Sequence, residues 1–278
     1  MVTGQSLYGL VITNIATDFS LAFIMAADAF GPITDNAAGI AEMSGISGQA
    51  SETLHELDAV GNTMKAATKG YAMASGTITS FLIFATFFAT AGISVVSIDS
   101  PYVVAALFLG VVLPLPLVSL TMRATSDGAF KMVDEVRLQF KEKIGLKEGK
   151  VAPDYVRCID IATKNALSKM VFPGVIVIVT PVAVGFLFGA TALGMLLIGA
   201  TASAAMLGFF FNNTGALLDN AKKLVESGLY GGKGSDTHKA AVVGDTVGDP
   251  LKDVSGPAVL IFMKLLGMTA LLVLPLLQ

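Results

Sequence analysis

The chain has 278 residues, of which 54% are hydrophobic and only 14% are charged, and its mean hydropathy is +0.73. This composition excludes an ordinary water-soluble domain and indicates an integral membrane protein. The formal net charge is −3 at pH 7, and the single cysteine, Cys158, excludes a disulfide framework or a thiolate metal cluster.

Six apolar stretches are long enough to cross about 30 Å of hydrocarbon as helices. Lipid offers no hydrogen-bond partner to an open backbone, so such stretches must be helical. They lie near residues 7–30, 70–96, 101–120, 170–188, 191–211 and 257–277. We therefore predict an all-α fold, in which a polytopic transmembrane bundle of about six long helices forms one integral membrane domain over residues 1–278 and extends into the cytoplasm.

Lysine and arginine are distributed unevenly, since neither occurs before Lys65. By the positive-inside rule, the regions rich in them are cytoplasmic. These regions lie near residues 35–69, 122–169 and 212–256. We expect a multi-pass protein of the cell inner membrane with its Lys/Arg-rich loops in the cytoplasm. The same arrangement puts Met1 outside with no export signal, which predicts missing upstream helices or an unusual insertion route.

The first polar motif is DAFGPITDNAAGIAEM, where Asp28 and Asp35 are seven residues apart and so share a helical face. An acid at the end of an apolar span is usually functional. In the alternative interpretation, Asp35 and Asn36 only cap a helix before Gly39.

The second motif is LDAVGNTMKAATKG, where Asn62, Lys65 and Lys69 follow i, i+3, i+7 spacing. An amide and two ammonium groups on one side of a helix would bind anionic phosphate oxygens. The alternative is that the lysines merely flank a span on its cytoplasmic side.

A third motif, LLDNAKK, places Asp219 and Lys222 at i, i+3. Taken alone, it would be an ordinary exposed pair.

The strongest motif is GDTVGDPLKDVSGP, where Asp245, Asp249 and Asp253 recur at i, i+4, i+8 with Lys252 beside them. Three like charges on one stripe repel each other and need counter-charge. Mg²⁺ is the natural candidate, because it commonly bridges carboxylates to substrate phosphates. The alternative is a solvated acidic face at a helix start.

Lys264 lies inside the sixth apolar stretch, where an ammonium needs a carboxylate or a water-filled path. It is therefore a candidate gate or relay. Asp18, midway along the first stretch, is the acid that could neutralise it.

Acids and lysines thus fall at the predicted cytoplasmic ends of four helices, which describes a site for a metal-bound polyphosphate. The sequence has no GxxxxGK[ST] loop and no GxGxxG motif, so neither nucleotide nor nucleic acid is an expected partner. His55 and His238 lie apart without a partner at i+4, which argues against a zinc pair.

The segments GDTVGDPLKDVSGP, DAFGPITDNAAGIAEM, GNTMKAATKGYA and LLDNAKK resemble, in order and spacing, the signature segments of membrane-bound, ion-pumping pyrophosphatases. The resemblance covers essentially the whole chain, which corresponds to the C-terminal half of that family. It implies pyrophosphate hydrolysis coupled to ion transport, with Mg²⁺ as cofactor. It also implies contact with membrane lipid, and either a homodimer or a partner that supplies the missing N-terminal half.

The resemblance also implies roles for individual residues. The binding set for magnesium pyrophosphate is Asp35, Asn62, Lys69, Asp219, Lys222, Asp249, Lys252 and Asp253, of which Asp35, Asp219, Asp249 and Asp253 are the implied metal ligands. Asp28 and Asp245 are similar to supporting acids, and Lys264 to a gate lysine. Lys65, with Thr68, resembles the potassium-independent members, which pump protons.

Two features depart from the family pattern. The aspartate-rich segment that supplies the water-activating acids is absent, as is the helix with the transport carboxylates, so we expect no hydrolysis by this chain alone. Ala38 and Val254 stand where the family usually has glycine and a hydroxyl residue. The alternatives are a non-catalytic subunit or remnant of a split pump that needs a partner chain, and an unrelated secondary ion transporter.

Overall fold

A computed structural model of the chain describes residues 4–146 and 148–277, without the side chains of residues 4–6 and of Met43. Every regular element in these two ranges is helical, which confirms the predicted all-α class. The α-helices are α1 (Gly4–Phe19), α2 (Leu21–Met43), α3 (Gln49–Thr90), α4 (Pro101–Val112), α5 (Pro114–Glu142), α6 (Tyr155–Glu226), α7 (Asp236–Pro250) and α8 (Gly256–Val273).

The first predicted span is a bent pair of helices. α1 and α2 meet at Ser20 with a bend of 44°. α2 then continues through Asn36, whose side-chain amide donates to the Pro32 carbonyl oxygen at 2.7 Å. The interpretation of Asp35 and Asn36 as a helix cap before Gly39 is therefore wrong, because α2 ends only at Met43.

Two long helices join predicted spans to predicted cytoplasmic segments. α3 is one helix of 42 residues and ends at Thr90, before the predicted span limit at residue 96. α4 passes into α5 through Leu113, which itself has helical φ and ψ angles. α5 then continues to Glu142, within the Lys/Arg-rich region near residues 122–169.

α6 is broken at Gly189, whose φ of 83° lies in the left-handed region that favours glycine. Val177 and Ala200 line one small apolar cavity, although a straight helix would separate them by about 35 Å. The helix therefore folds back into two arms, residues 155–188 and 190–226. The break falls between the predicted spans 170–188 and 191–211.

The core lies between the second arm of α6 and its neighbours α3, α4 and α8. Its centre contains the buried side chains Phe87, Leu193, Leu196 and Phe262. By length and composition, four helices of the described chain could cross a membrane, or five if the bent pair counts as one span. The six individual span limits stay predictions.

Candidate functional site

Polar residues from α2, α3, α6 and α7 gather at one end of the bundle around a cavity of about 210 Å³. This end corresponds to regions predicted as cytoplasmic. The lining residues are Asp35, Ala38, Gly39, Glu42, His55, Asp58, Asp219, Lys222, Lys223, Glu226, Lys233 and Asp249.

Three carboxylates form the acidic part of this site. Asp219 on α6 meets Asp245 and Asp249 on α7, with one oxygen of each lying within 4.8 Å of the other two. The helices approach closely because Gly215 and Gly248 face each other, and a Cβ atom on Gly215 would lie 2.5 Å from the Gly248 carbonyl oxygen. Two glycines thus allow the acids of α6 and α7 to share one site.

Lysines neutralise these acids. The Lys252 ammonium is 2.5 Å from Asp219 and 2.6 Å from Asp249, and Lys222 pairs with Asp245. The protein's own lysines thus supply counter-charge to these acids. We call Asp219, Asp245, Asp249, Lys222 and Lys252 the lysine–aspartate cluster.

The cluster shifts the pKa values of Lys222, Asp245 and Lys252. These three residues lie between the predicted spans 191–211 and 257–277. Burial disfavours the charged Lys252, but hydrogen bonds to Asp219 and then Asp249 outweigh it and raise the pKa of Lys252. Burial likewise disfavours the charged form of Lys222, but the interaction with Asp245 outweighs it and raises the pKa of Lys222. Burial raises the pKa of Asp245, against the hydrogen bond from Lys222.

A π-helical turn, Leu251–Ser255, separates α7 from α8. Its wider turn changes the angle between successive side chains, so the predicted stripe of three aspartates does not continue to Asp253. Lys252 instead reaches α6, and Asp253 pairs with Lys69 on α3. Two adjacent residues of the turn therefore contact two different helices, Lys252 contacting α6 and Asp253 contacting α3.

The α2–α3 interface contributes a second set of predicted residues. The buried Lys65 ammonium lies 3.4 Å from Asp35, and Thr68 donates to Asp28 at 2.8 Å. A Cβ atom on Gly31 would collide with the Lys65 side chain, so glycine is needed for the lysine to cross α2. Asn62 is also buried, and its amide oxygen has no hydrogen-bond partner among the described residues.

Sequence analysis missed three residues of this region. Lys223 pairs with Asp58 at 2.6 Å, and Asn212 is 2% exposed with neither amide atom bonded in the described part of the chain. Spacing could have indicated them: Asp58 precedes Asn62 by four residues, and Asn212 precedes Asp219 by seven.

The suggested pairing of Asp18 with Lys264 is wrong. Asp18 accepts hydrogen bonds from Asn14 and Ser75 at 3.0 Å each. Within residues 4–146 and 148–277 no ion pair joins it to Lys264, which lies half-buried on α8. α1 packs on α3, so the polar groups of that helix reach Asp18.

The donor set suits a hard divalent cation such as Mg²⁺. Asp219, Asp245 and Asp249 offer carboxylate oxygens, the ligand type that Mg²⁺ prefers. One Asp245 oxygen is buried without a hydrogen-bond partner among the described residues, so it is free to act as a ligand. These residues therefore fit the metal that the motif spacing predicted.

Comparison with known proteins gives relatives along the whole chain. It is 46% identical over 275 residues to a K(+)-insensitive pyrophosphate-energized proton pump of Methanosarcina mazei, covering 98% of this chain and 41% of the relative. It is 44% identical over 269 residues to a putative K(+)-stimulated pyrophosphate-energized sodium pump of Clostridium tetani, covering 97% of this chain and 40% of the relative.

The chain thus spans about two fifths of the length of these curated relatives. The family model described as inorganic H+ pyrophosphatase matches residues 1–273. This match confirms the family resemblance of the four motifs, and the chain belongs to the inorganic H+ pyrophosphatase family.

Proposed function

We propose that the chain is the C-terminal part of a potassium-independent pump that hydrolyses pyrophosphate and moves protons across the cell inner membrane. Its Lys/Arg-rich loops would then face the cytoplasm. The observation that carries the proposal is the cavity of about 210 Å³, because its wall presents several ammonium groups next to several carboxylates. A metal-loaded polyphosphate needs both.

Charge exchange explains how the ligand would enter. In the structure, the carboxylates of the lysine–aspartate cluster are bonded to its own lysines. Asp219, Asp245 and Asp249 would hold Mg²⁺, with Asp35 and Asp253 as the further ligands expected from sequence. Their lysine partners would then turn to the phosphate oxygens. Bound Mg²⁺ would supply Lewis-acid polarisation of a phosphoryl oxygen.

The remaining binding residues act on the anion. Lys69, Lys222 and Lys252 would contact phosphate oxygens, and the buried Asn62 amide would orient them. Lys223, which lines the same cavity, adds a further ammonium group. Asp28 supports this region indirectly, since its carboxylate fixes the Thr68 hydroxyl on α3.

Lys65 supports the potassium-independent assignment. Its ammonium lies 3.4 Å from Asp35, so it already places a fixed monovalent charge beside the site. The Lys65 ammonium would occupy the place of K⁺. Among the relatives, the Methanosarcina mazei pump is named K(+)-insensitive and the Clostridium tetani pump K(+)-stimulated.

Lys264 is the proposed gate. It follows the π-helical turn on α8, so a shift of Lys252 and Asp253 on ligand binding would be transmitted along that helix. Exposed apolar side chains such as Phe108 and Leu187 provide a surface for membrane lipid or for further helices. A homodimer, or the remaining part of the pump, would complete the channel.

A non-catalytic part of a split pump is the second candidate, because the chain spans only about two fifths of its relatives. Such a part would still bind magnesium pyrophosphate but would not hydrolyse it. Binding and hydrolysis must therefore be measured separately.

Isothermal titration of the full chain in detergent with magnesium pyrophosphate tests binding, and phosphate release from membranes that contain the chain tests hydrolysis. We expect Mg²⁺-dependent binding that Lys252→Ala abolishes. Lys239→Ala is the matched control, since this lysine is exposed on α7. Binding that persists unchanged in Lys252→Ala would refute the proposed site.

A further inference from the structure

Asp18 is an acid within an apolar helix, and nothing in the proposed pyrophosphate site uses it. It lies midway along the predicted span 7–30. Ile15 and Phe19, next to it on α1, are exposed apolar side chains. A charged carboxylate at this depth is costly, and acids in such positions usually bind or relay ions.

Four polar side chains surround this carboxylate. The amide group of Asn14 donates to one oxygen of Asp18 and the hydroxyl of Ser75 to the other, both at 3.0 Å. Thr79 donates to the Asn14 amide oxygen at 2.6 Å, and Thr17 donates to Ser75 at 3.4 Å. These five residues form what we call the α1–α3 polar cluster.

The cluster contains no positive charge to balance Asp18. The two groups bonded to the carboxylate are neutral, and the described ranges of the chain include no salt bridge to it. Among the described residues, α2 and α3 pack against α1. On α3, Tyr71 is the nearest titratable side chain along the chain, and it bonds to Ser20 and to the Thr17 carbonyl oxygen. On α2, Asp28 bonds to Thr68.

We propose that Asp18 is a proton-binding site in the membrane, held by the α1–α3 polar cluster. A proton needs one lone pair of the carboxylate, and Asp18 remains exposed on the side away from α3. A metal cation would need several oxygens, but the Asn14 amide hydrogens already face one carboxylate oxygen. The Thr79 bond to the Asn14 oxygen keeps the amide in this orientation.

The inference deepens the proposed function, because a proton pump needs carboxyl groups that take up and release protons within the membrane. It adds a site on α1 to the gate expected at Lys264 on α8. Asp18 does not touch the pyrophosphate cavity, so its protonation can be measured without substrate.

Dicyclohexylcarbodiimide is a suitable probe, because it reacts with protonated carboxyl groups in apolar surroundings. The carboxyl oxygen bonds to the carbodiimide carbon, the proton moves to nitrogen, and acyl migration leaves a stable N-acylurea. The full chain in lipid vesicles is labelled over a pH series without pyrophosphate, and mass spectrometry of peptides identifies the modified residue. Asp18→Asn confirms the assignment of the labelled peptide.

We expect labelling of Asp18 that decreases as pH rises. Ser75→Ala removes a hydrogen bond that favours the anion, so its labelling midpoint should move up by roughly one pH unit, a tenfold gain in proton affinity. Ser80→Ala is the matched control, because the Ser80 hydroxyl donates to the Gly76 carbonyl oxygen of its own helix. Its midpoint should equal that of the unchanged chain.

Three results would overturn the inference: no label on Asp18 at any pH, labelling that does not depend on pH, or equal shifts in Ser75→Ala and Ser80→Ala. If sodium chloride protected Asp18 from labelling and choline chloride at equal ionic strength did not, Asp18 would be a site for a metal cation and not for a proton. An unlabelled Asp18 with intact pyrophosphate binding counts against this inference alone. Lost pyrophosphate binding with normal Asp18 labelling counts against the proposed function alone.

Discussion

The lysine–aspartate cluster and the α1–α3 polar cluster hold carboxylates in two different ways. In the first, Asp219 lies 2.5 Å from the buried ammonium of Lys252. In the second, Asp18 accepts hydrogen bonds from the neutral side chains of Asn14 and Ser75. The first carboxylate is balanced by a buried lysine, whereas the second is held by neutral donors and has no ion-pair partner among the described residues.

The largest expected effect comes from breaking the first cluster at its centre. Lys252→Met leaves Asp219 buried without its strongest partner, which should cost about 3–5 kcal/mol of unfolding free energy. Denaturant unfolding in detergent measures this loss. The double variant Lys252→Met with Asp219→Asn should recover part of it, and a loss in the single variant below about 1 kcal/mol would contradict the burial of the pair.

A smaller loss is expected at the edge of the same cavity. Asp58→Asn removes the carboxylate that holds Lys223 at 2.6 Å, and should destabilise the chain by about 2 kcal/mol. The matched control is Asp236→Asn, whose exposed pair with Lys239 should contribute less than about 0.5 kcal/mol. The same unfolding assay compares both variants, and similar losses would show that burial does not distinguish them.

The close approach of α6 and α7 offers a test that changes no charge. Gly215→Ala places a methyl group 2.5 Å from the Gly248 carbonyl oxygen, so the helices must move apart at a cost of about 1–2 kcal/mol. Gly174→Ala is the control, because its added methyl group meets no atom within 4 Å. Weaker magnesium binding by titration calorimetry should accompany the loss in Gly215→Ala only.

The smallest effect is expected in the second cluster. Thr79→Val removes a neutral hydrogen bond to Asn14, and such bonds between membrane helices contribute about 0.6 kcal/mol on average. Thermal unfolding should therefore barely change, with Thr77→Val as the control because that hydroxyl bonds within its own helix. A loss as large as that of Lys252→Met would mean that both clusters depend on charge in the same way.

Local properties of the sequence were sufficient for the fold class and the family. Hydropathy and length indicated membrane helices, because each helix satisfies its own backbone in lipid. Gly189 lies between the predicted spans 170–188 and 191–211, and the fold-back occurs at this residue because glycine readily adopts its left-handed φ. Motif spacing also singled out Asp219, Lys252 and Asp245.

Only the tertiary structure decided which charges meet. Spacing put Asp253 on one stripe with Asp249, but the π-helical turn directs it to Lys69 on another helix. The sequence also suggested that Asp18 pairs with Lys264. In the structure α1 packs on α3, so the Ser75 hydroxyl donates a hydrogen bond to Asp18. Partners of this kind depend on how helices far apart in sequence rotate and pack against each other, and no local pattern contains that information.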